Sequence, residues 1–297
     1  MYVVSAATGN TGHVVTEYLL SRGRQVRAVS RSLEKLQPLT AQGAEPFRAD
    51  IADPRSLTQA LKGAEAAYLV MPPDFTVPDS PGFQRLVADS FARAVADSGV
   101  KNVVFLSSMG AQHEAGAGPI SGLAYTERRL SEIDALNLLA IRAGYFMENL
   151  FATIPVLRQY GFIGTAIRPD LPLPMIATKD VGRYAGERLD TLDFSGKEAR
   201  ELLGQRDVTM VELTGIMGRA IGRPELEYRQ FDDQAFRHAL RGIRFSQSGA
   251  ESIVEMAHAL NGGLVKATEK RSETNTTPTS IEDFVRTLAA LYEVQPA

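Results

Sequence analysis

A short apolar stretch beginning at Tyr2 runs into Ser5-Ala6-Ala7-Thr8-Gly9-Asn10-Thr11-Gly12, and Val14, Val15, Tyr18, Leu19 and Leu20 follow at helical spacing. No other feature constrains the fold as strongly. A strand, a tight small-residue turn and a helix aim the first N–H groups of that helix at an anion, and the small residues let a pyrophosphate approach the backbone. The spacing is Ala6-x-x-Gly9-x-x-Gly12, with alanine where a first glycine usually stands. A glycine pattern alone is a weak signal; it gains weight as the first unit of a chain that keeps alternating strands and helices.

The alternation continues. Residues 25–30, 44–49, 66–71, 102–107 and 137–142 read as further strands, with helices between them over 83–98 and 122–135 and from Asp53-Pro54, where Asp53 is the expected N-cap. Continuous apolar strands separated by helices predict an α/β protein, a doubly wound parallel sheet of the Rossmann kind with ligands at the strands' carboxyl ends. After residue 150 the rhythm changes. Residues 161–176 are rich in Gly and Pro and read mainly as loop. Helices are expected near 179–191, 210–220, 232–241, 248–261 and 280–293, and short strands near 199–203 and 225–229. Thr209-x-x-Glu212 and Thr279-x-x-Glu282 have the form of capping boxes. The expected organisation is a dinucleotide-binding domain over 1–150 and a smaller, mostly helical substrate domain over 151–297, interwoven with the first.

Composition narrows the chemistry. With no cysteine there is no disulfide, thiolate nucleophile or cysteine-bound metal, and the four histidines form no close ligand pair, so no metal is expected. A net charge of −3 offers no basic surplus for nucleic acid. The first strand leaves no room for a cleavable signal and no apolar run has spanning length, so no membrane partner and a cytoplasmic location are expected. A homodimer is compatible with all of this.

Position 31 bears on the choice of dinucleotide. An acid at the end of the second strand would bind a ribose 2′-hydroxyl, but the strand ends Val29-Ser30-Arg31-Ser32 and no acid stands between Gln25 and Leu33. Arg31 can hold a 2′-phosphate bidentately, with Lys35 adding charge, which favours NADP(H); the plainer reading is a solvated surface arginine. Asp50-Ile51 follows the third strand, where a carboxylate could meet an adenine amino group or simply cap its loop.

These pieces, together with Arg142-Ala143-Gly144-Tyr145-Phe146-Met147-Glu148-Asn149, Ala177-Thr178-Lys179-Asp180-Val181 and Pro278-Thr279-Ser280-Ile281-Glu282-Asp283-Phe284, make nearly the whole chain resemble the NmrA-like family of atypical short-chain dehydrogenases. Within it the likeness is to bacterial NADPH-dependent quinone reductases and triphenylmethane-dye reductases. The resemblance implies that Ala6, Thr8, Gly9, Asn10, Thr11 and Gly12 wrap a pyrophosphate and that Arg31 meets the 2′-phosphate. It also implies that the loop Met71-Pro72-Pro73-Asp74 lies beside the nicotinamide ribose and that Gly144, Tyr145 and Phe146 flank the nicotinamide. Ala6 replaces the family's first glycine, and Ala143 the proline of its later motif.

The tyrosine–lysine pair of ordinary short-chain dehydrogenases has only a weak echo in Tyr125-Thr126-Glu127-Arg128-Arg129, and Tyr125 reads as a packing residue. In relatives a Lys or His precedes the matching helix glutamate by four residues; here that position is Leu123. Hydride transfer to a quinone needs no elaborate acid, because the cofactor carries the difficult chemistry. Tyr145, Asn149 and Ser107 are the candidate groups to meet a developing oxyanion, although Asn149 could instead cap a helix, and Ser107 and Ser108 a strand edge. Phe146, Met147, Phe151 and Phe162 would supply an apolar wall, or ordinary core, and His113 would be either a lid or a surface residue. The expected activity is NADPH-dependent reduction of a small aromatic or conjugated acceptor. The alternative is a non-catalytic NADP(H)-binding redox sensor.

Overall fold

The computed structural model describes residues 1–294. In its first half β1 (Tyr2–Val4), α1 (Asn10–Ser21), β2 (Val26–Ser30), α2 (Gln37–Ala41), β3 (Glu45–Arg48), α3 (Pro54–Leu61), β4 (Ala66–Val70), α4 (Ser80–Ser98), β5 (Asn102–Ser108), α5 (Pro119–Ser131) and β6 (Asn137–Ala143) follow one another. Local chemistry marks the boundaries. Asp53 accepts a hydrogen bond from the Arg55 N–H and Pro54 occupies the first turn of α3. Asp79 caps α4 in the same way through the Gly82 N–H, starting that helix three residues before Phe83.

The second half contains β7 (Tyr145–Phe146), α6 (Ile154–Tyr160), β8 (Phe162–Thr165), β9 (Leu173–Ile176), α7 (Thr178–Thr191), β10 (Lys197–Leu202), β11 (Asp207–Val208), α8 (Met210–Ala220), β12 (Glu227–Gln230), α9 (Asp233–Gly242), α10 (Gln247–Asn261) and α11 (Ile281–Val294). Two expectations fail here. Residues 161–176 are not mainly loop: β8 pairs with β12, and the buried β9 lies between β11 and β7. Glycine and proline suggest turns, but burial outweighs them, and all four residues of β9 are buried. The cap of α11 is Ser280, whose hydroxyl exchanges hydrogen bonds with Asp283, while Thr279 turns inward to Asp180. The Thr209 cap on the Glu212 N–H is as expected.

Seven parallel strands form the main sheet in the order β10-β6-β5-β4-β1-β2-β3. Chain order reverses between β1 and β4, which opens a crevice at their carboxyl ends. Both faces are covered, as the apolar strands require. On one face Phe91, Leu57 and Leu61 pack on Phe105 and Leu69, all essentially inaccessible and each worth roughly 1.5–3 kcal/mol of burial. On the other, α1 and α7 touch through glycines: a Cβ on Gly182 would lie 2.8 Å from the Thr11 carbonyl oxygen, and one on Gly186 2.7 Å from the Tyr18 ring. The sheet layer therefore takes α7 and β10 from beyond residue 150. Among the described residues no helix is long and apolar enough to cross a membrane.

Candidate functional site

The turn after β1 holds Ala6 at φ 48°, a left-handed conformation that costs an L-residue about 1–2 kcal/mol. In return, the Ala6 carbonyl accepts the Gly9 N–H at 2.8 Å and the Ala7 N–H reaches Val29 on β2 at 3.1 Å. Gly12 is obligatory, because a Cβ there would sit 2.4 Å from the Ala6 oxygen. Ser5 bridges the switch point: its N–H donates to Tyr68 and its hydroxyl accepts from Val70, each at 2.9 Å. Gly9 caps α1 without a side chain and no acid stands in the first turn, so that turn is open to an anion. Thr8, Gly9 and Asn10 line a cleft of about 440 Å³ whose far wall carries Lys179, Glu148 and Phe284. The sequence motif at 177–181 contains Lys179 but gives it no place at this loop; the packing of α7 on α1 does. Thr11 is buried behind this cleft.

Arg31 and Lys35 are exposed beyond the end of β2. Among the described residues no carboxylate lies within ion-pair distance of Arg31, although its charge helps to lower the pKa of Asp74, after the stronger effect of two hydrogen bonds from Thr76. Ser30 and Arg48 are paired in register, so Arg31 and Asp50 follow the ends of adjacent parallel strands, one residue apart in level. One Asp50 oxygen accepts from the Ala52 N–H at 3.0 Å, which is a loop cap, and Ile51 is half-buried. These four residues lie along the same carboxyl edge as the α1 cleft without lining it.

Further along that edge is a cavity of about 230 Å³. The structure brings Met71, Ser107, Gly144, Tyr145, Phe146 and Asn149 together around it, while Pro72 is exposed beside it and outside its lining. Of the expected aromatic wall only Phe146 takes part. Met147 is core, Phe151 packs on Phe284 at 5.7 Å, and Phe162 stands edge-on to Phe231 in another part of the fold. His113 is half-buried beside Gln112 and does not line the cavity. Sequence reading missed most of the apolar lining, including Phe75, Ile120, Leu123, Met256, Leu260 and Val265. No local signal marks these residues, because α10 reaches the cavity only by tertiary packing. The Phe75 carbonyl accepts the Ser246 N–H at 2.8 Å, and the Phe75 ring stacks on Phe245 at 5.0 Å, which fixes α10 over the loop after β4.

Gln84, Ser107, Ser108, Tyr145 and Asn149 are the polar side chains in this apolar setting. Tyr145 is half-buried; burial around its hydroxyl raises the phenol pKa above its ordinary value, opposed by a hydrogen bond with Asn149. It is therefore a neutral phenol at neutral pH, with a proton to donate. The Ser107 hydroxyl donates to Glu127 Oε1 at 2.5 Å. Arg142 engages both oxygens of the same carboxylate, through Nε at 3.0 Å and Nη2 at 2.6 Å. Tyr125 lies away from the cavity, its hydroxyl on Asp89 at 3.0 Å and the Arg128 guanidinium 4.8 Å from its ring centre.

A sequence model of the NmrA-like family matches residues 2–285. Quinone oxidoreductase 2 of Escherichia coli is 27% identical over 274 residues, 89% of this chain and 90% of that protein. The structure of the NADPH-dependent quinone oxidoreductase of that organism in complex with NADPH superposes with a TM-score of 0.80 at 25% identity, covering 97% of this chain and 99% of the other. An NAD(P)H azoreductase of Xenophilus azovorans is 23% identical over 256 residues, 86% of each chain. The Citrobacter sp. triphenylmethane reductase, at 19% identity, shares the fold with a TM-score of 0.79 over 97% of this chain and all of its own.

Proposed function

Because the chain belongs to the NmrA-like family, we propose that it is an NADPH-dependent oxidoreductase that reduces a small planar acceptor such as a quinone or dye. One observation carries this reading: an uncapped, acid-free helix N-terminus and an apolar cavity share the carboxyl edge of one parallel sheet. The loop fits a dinucleotide, since the close approach at Gly12 keeps the backbone open to a pyrophosphate and α1 supplies unfilled donors. Relatives named as a quinone oxidoreductase and an azoreductase support the same chemistry.

In this reading Ala6 to Gly12 hold the pyrophosphate with Lys179 beside it, and Arg31 and Lys35 hold the 2′-phosphate. Asp50 and Ile51 flank the adenine, and Met71, Pro72 and the segment Gly144 to Phe146 flank the nicotinamide riboside. Bound NADPH supplies the hydride. The acceptor takes that hydride and one proton, so a quinone leaves as a hydroquinone. Tyr145 donates a hydrogen bond to the oxygen on which charge develops, with Asn149 orienting it and Ser107 lining the opposite side. Residues beyond 150, chiefly α10 and Val265, close the cavity and exclude water.

The test is NADPH oxidation across a panel of quinones and dyes. Saturable turnover is expected; tight NADP binding with no turnover on any of them would favour a sensor. Arg31→Ala should lower kcat/KM for NADPH about 10- to 100-fold, the value of one or two charge-assisted hydrogen bonds, and that for NADH less than threefold. Equal losses would remove Arg31 from phosphate recognition.

A further inference from the structure

Gln84, in the second turn of α4, lines the cavity and is only 5% exposed. Its Nε2 donates to the Pro119 carbonyl at 2.9 Å, which settles the orientation of the amide, since a carbonyl oxygen can only accept. No described residue donates to its Oε1. The seat of this amide is built into α5, where Gly122 faces it: a Cβ at that position would lie 2.6 Å from Oε1 and 2.5 Å from the amide carbon.

The two serine hydroxyls at the end of β5 direct their hydrogens elsewhere. Ser107 donates to Glu127 at 2.5 Å and Ser108 to the Met109 carbonyl at 3.1 Å. On the α4–α5 wall the acceptor left unmatched is therefore the Gln84 Oε1. A ligand that fills the cavity excludes water from the Gln84 Oε1, and an acceptor then left without a donor costs about 1–3 kcal/mol, which a ligand N–H or O–H avoids and an apolar group does not.

We propose that Gln84 is a specificity-determining residue that selects planar acceptors bearing an exocyclic amino or hydroxyl donor over isosteres that lack one. This rests on the reductase reading and deepens it by naming the substrate class. The donor group lies against the α4–α5 wall, and the reducible carbon faces the strand ends and Tyr145.

The test compares 2-amino-1,4-naphthoquinone with 2-methyl-1,4-naphthoquinone, which match in shape and differ in the donor. The quantity read is the ratio of their kcat/KM values with NADPH, in the wild type and in Gln84→Met. Intrinsic redox differences cancel between the two proteins, and loss of one neutral hydrogen bond should lower the amino-to-methyl ratio about tenfold. A ratio unchanged within twofold overturns the proposal. Gly122→Ala should shift the ratio in the same direction by displacing the amide, which keeps the test alive if Gln84→Met folds poorly. If the wild type reduces neither quinone, the reductase reading fails separately. Binding of 1-aminonaphthalene against 1-methylnaphthalene to the NADP⁺-saturated protein then decides the donor preference, expected to be lost in Gln84→Met and refuted if both proteins show the same preference.

Discussion

Breaking the Glu127–Arg142 pair should cost the protein more stability than any exposed ion pair does. The two side chains are 12% and 19% exposed, and the contact is bidentate, so little solvent screens it. At an effective dielectric near 20 the attraction is about 4 kcal/mol or more at this separation, and truncating one partner of a buried pair costs about 3–5 kcal/mol because a charge is stranded. Two features reduce that figure for Glu127→Gln. The amide keeps the shape of the carboxylate, and Glu201 and Glu269 also act favourably on the Arg142 charge. We expect a loss of about 2–3 kcal/mol for Glu127→Gln and about 3 kcal/mol for Arg142→Met, with the double variant losing about 2 kcal/mol less than the sum. Urea unfolding of all four proteins gives the coupling directly, provided the slope with denaturant is unchanged. A coupling below about 0.5 kcal/mol would refute the claim that this pair acts as a buried unit.

Ala6→Gly should raise stability by about 0.5–1 kcal/mol, because relief of the left-handed strain exceeds the extra chain entropy of glycine; thermal melting checks this, and a fall would show that the turn tolerates alanine without strain. The fully buried Tyr68 hydroxyl has no hydrogen-bond partner in good geometry, with the Thr11 side chain its polar neighbour, so Tyr68→Phe should stabilise by about 1 kcal/mol. A loss of that size would mean that Thr11 does satisfy it. The hydrogen bond from Arg24 holds the Asp190 carboxyl below its ordinary pKa, burial opposing and Arg22 assisting. A folded-state pKa below the unfolded value stabilises fully above about pH 4 and is lost as pH falls through the folded value. Asp190→Asn should therefore destabilise by less than about 1 kcal/mol at pH 7, and the gap to the wild type should close on acidification; a constant gap in acid unfolding curves would show that charge is not its source.

The sequence determined by itself whatever is written in short-range chemistry. Apolar strands alternating with capped helices allow a parallel sheet covered on both faces and little else, and the small-residue turn before α1 marks where an anion can meet backbone donors. The motif Arg142 to Asn149 is legible through its family resemblance, which implies a place beside the nicotinamide; in the fold it follows β6 at the sheet's carboxyl edge and lines the cavity. Other features depend on contacts between residues far apart in the chain. Lys179 reaches the cleft at the α1 N-terminus because Gly182 and Gly186 let α7 press on α1, and Met256 and Leu260 reach the cavity because α10 is tied to the loop after β4. Residues 162–165 and 173–176 form strands, against their local preference, because they find partners at positions 145–146, 207–208 and 227–230 and because 173–176 are buried. The role of Ser107 changed most: from sequence it is a hydroxyl at a strand end, free to donate. Only the fold brings Glu127 of α5, held by Arg142 of β6, to it, and the carboxylate accepts its hydrogen bond and leaves it an acceptor in an apolar cavity.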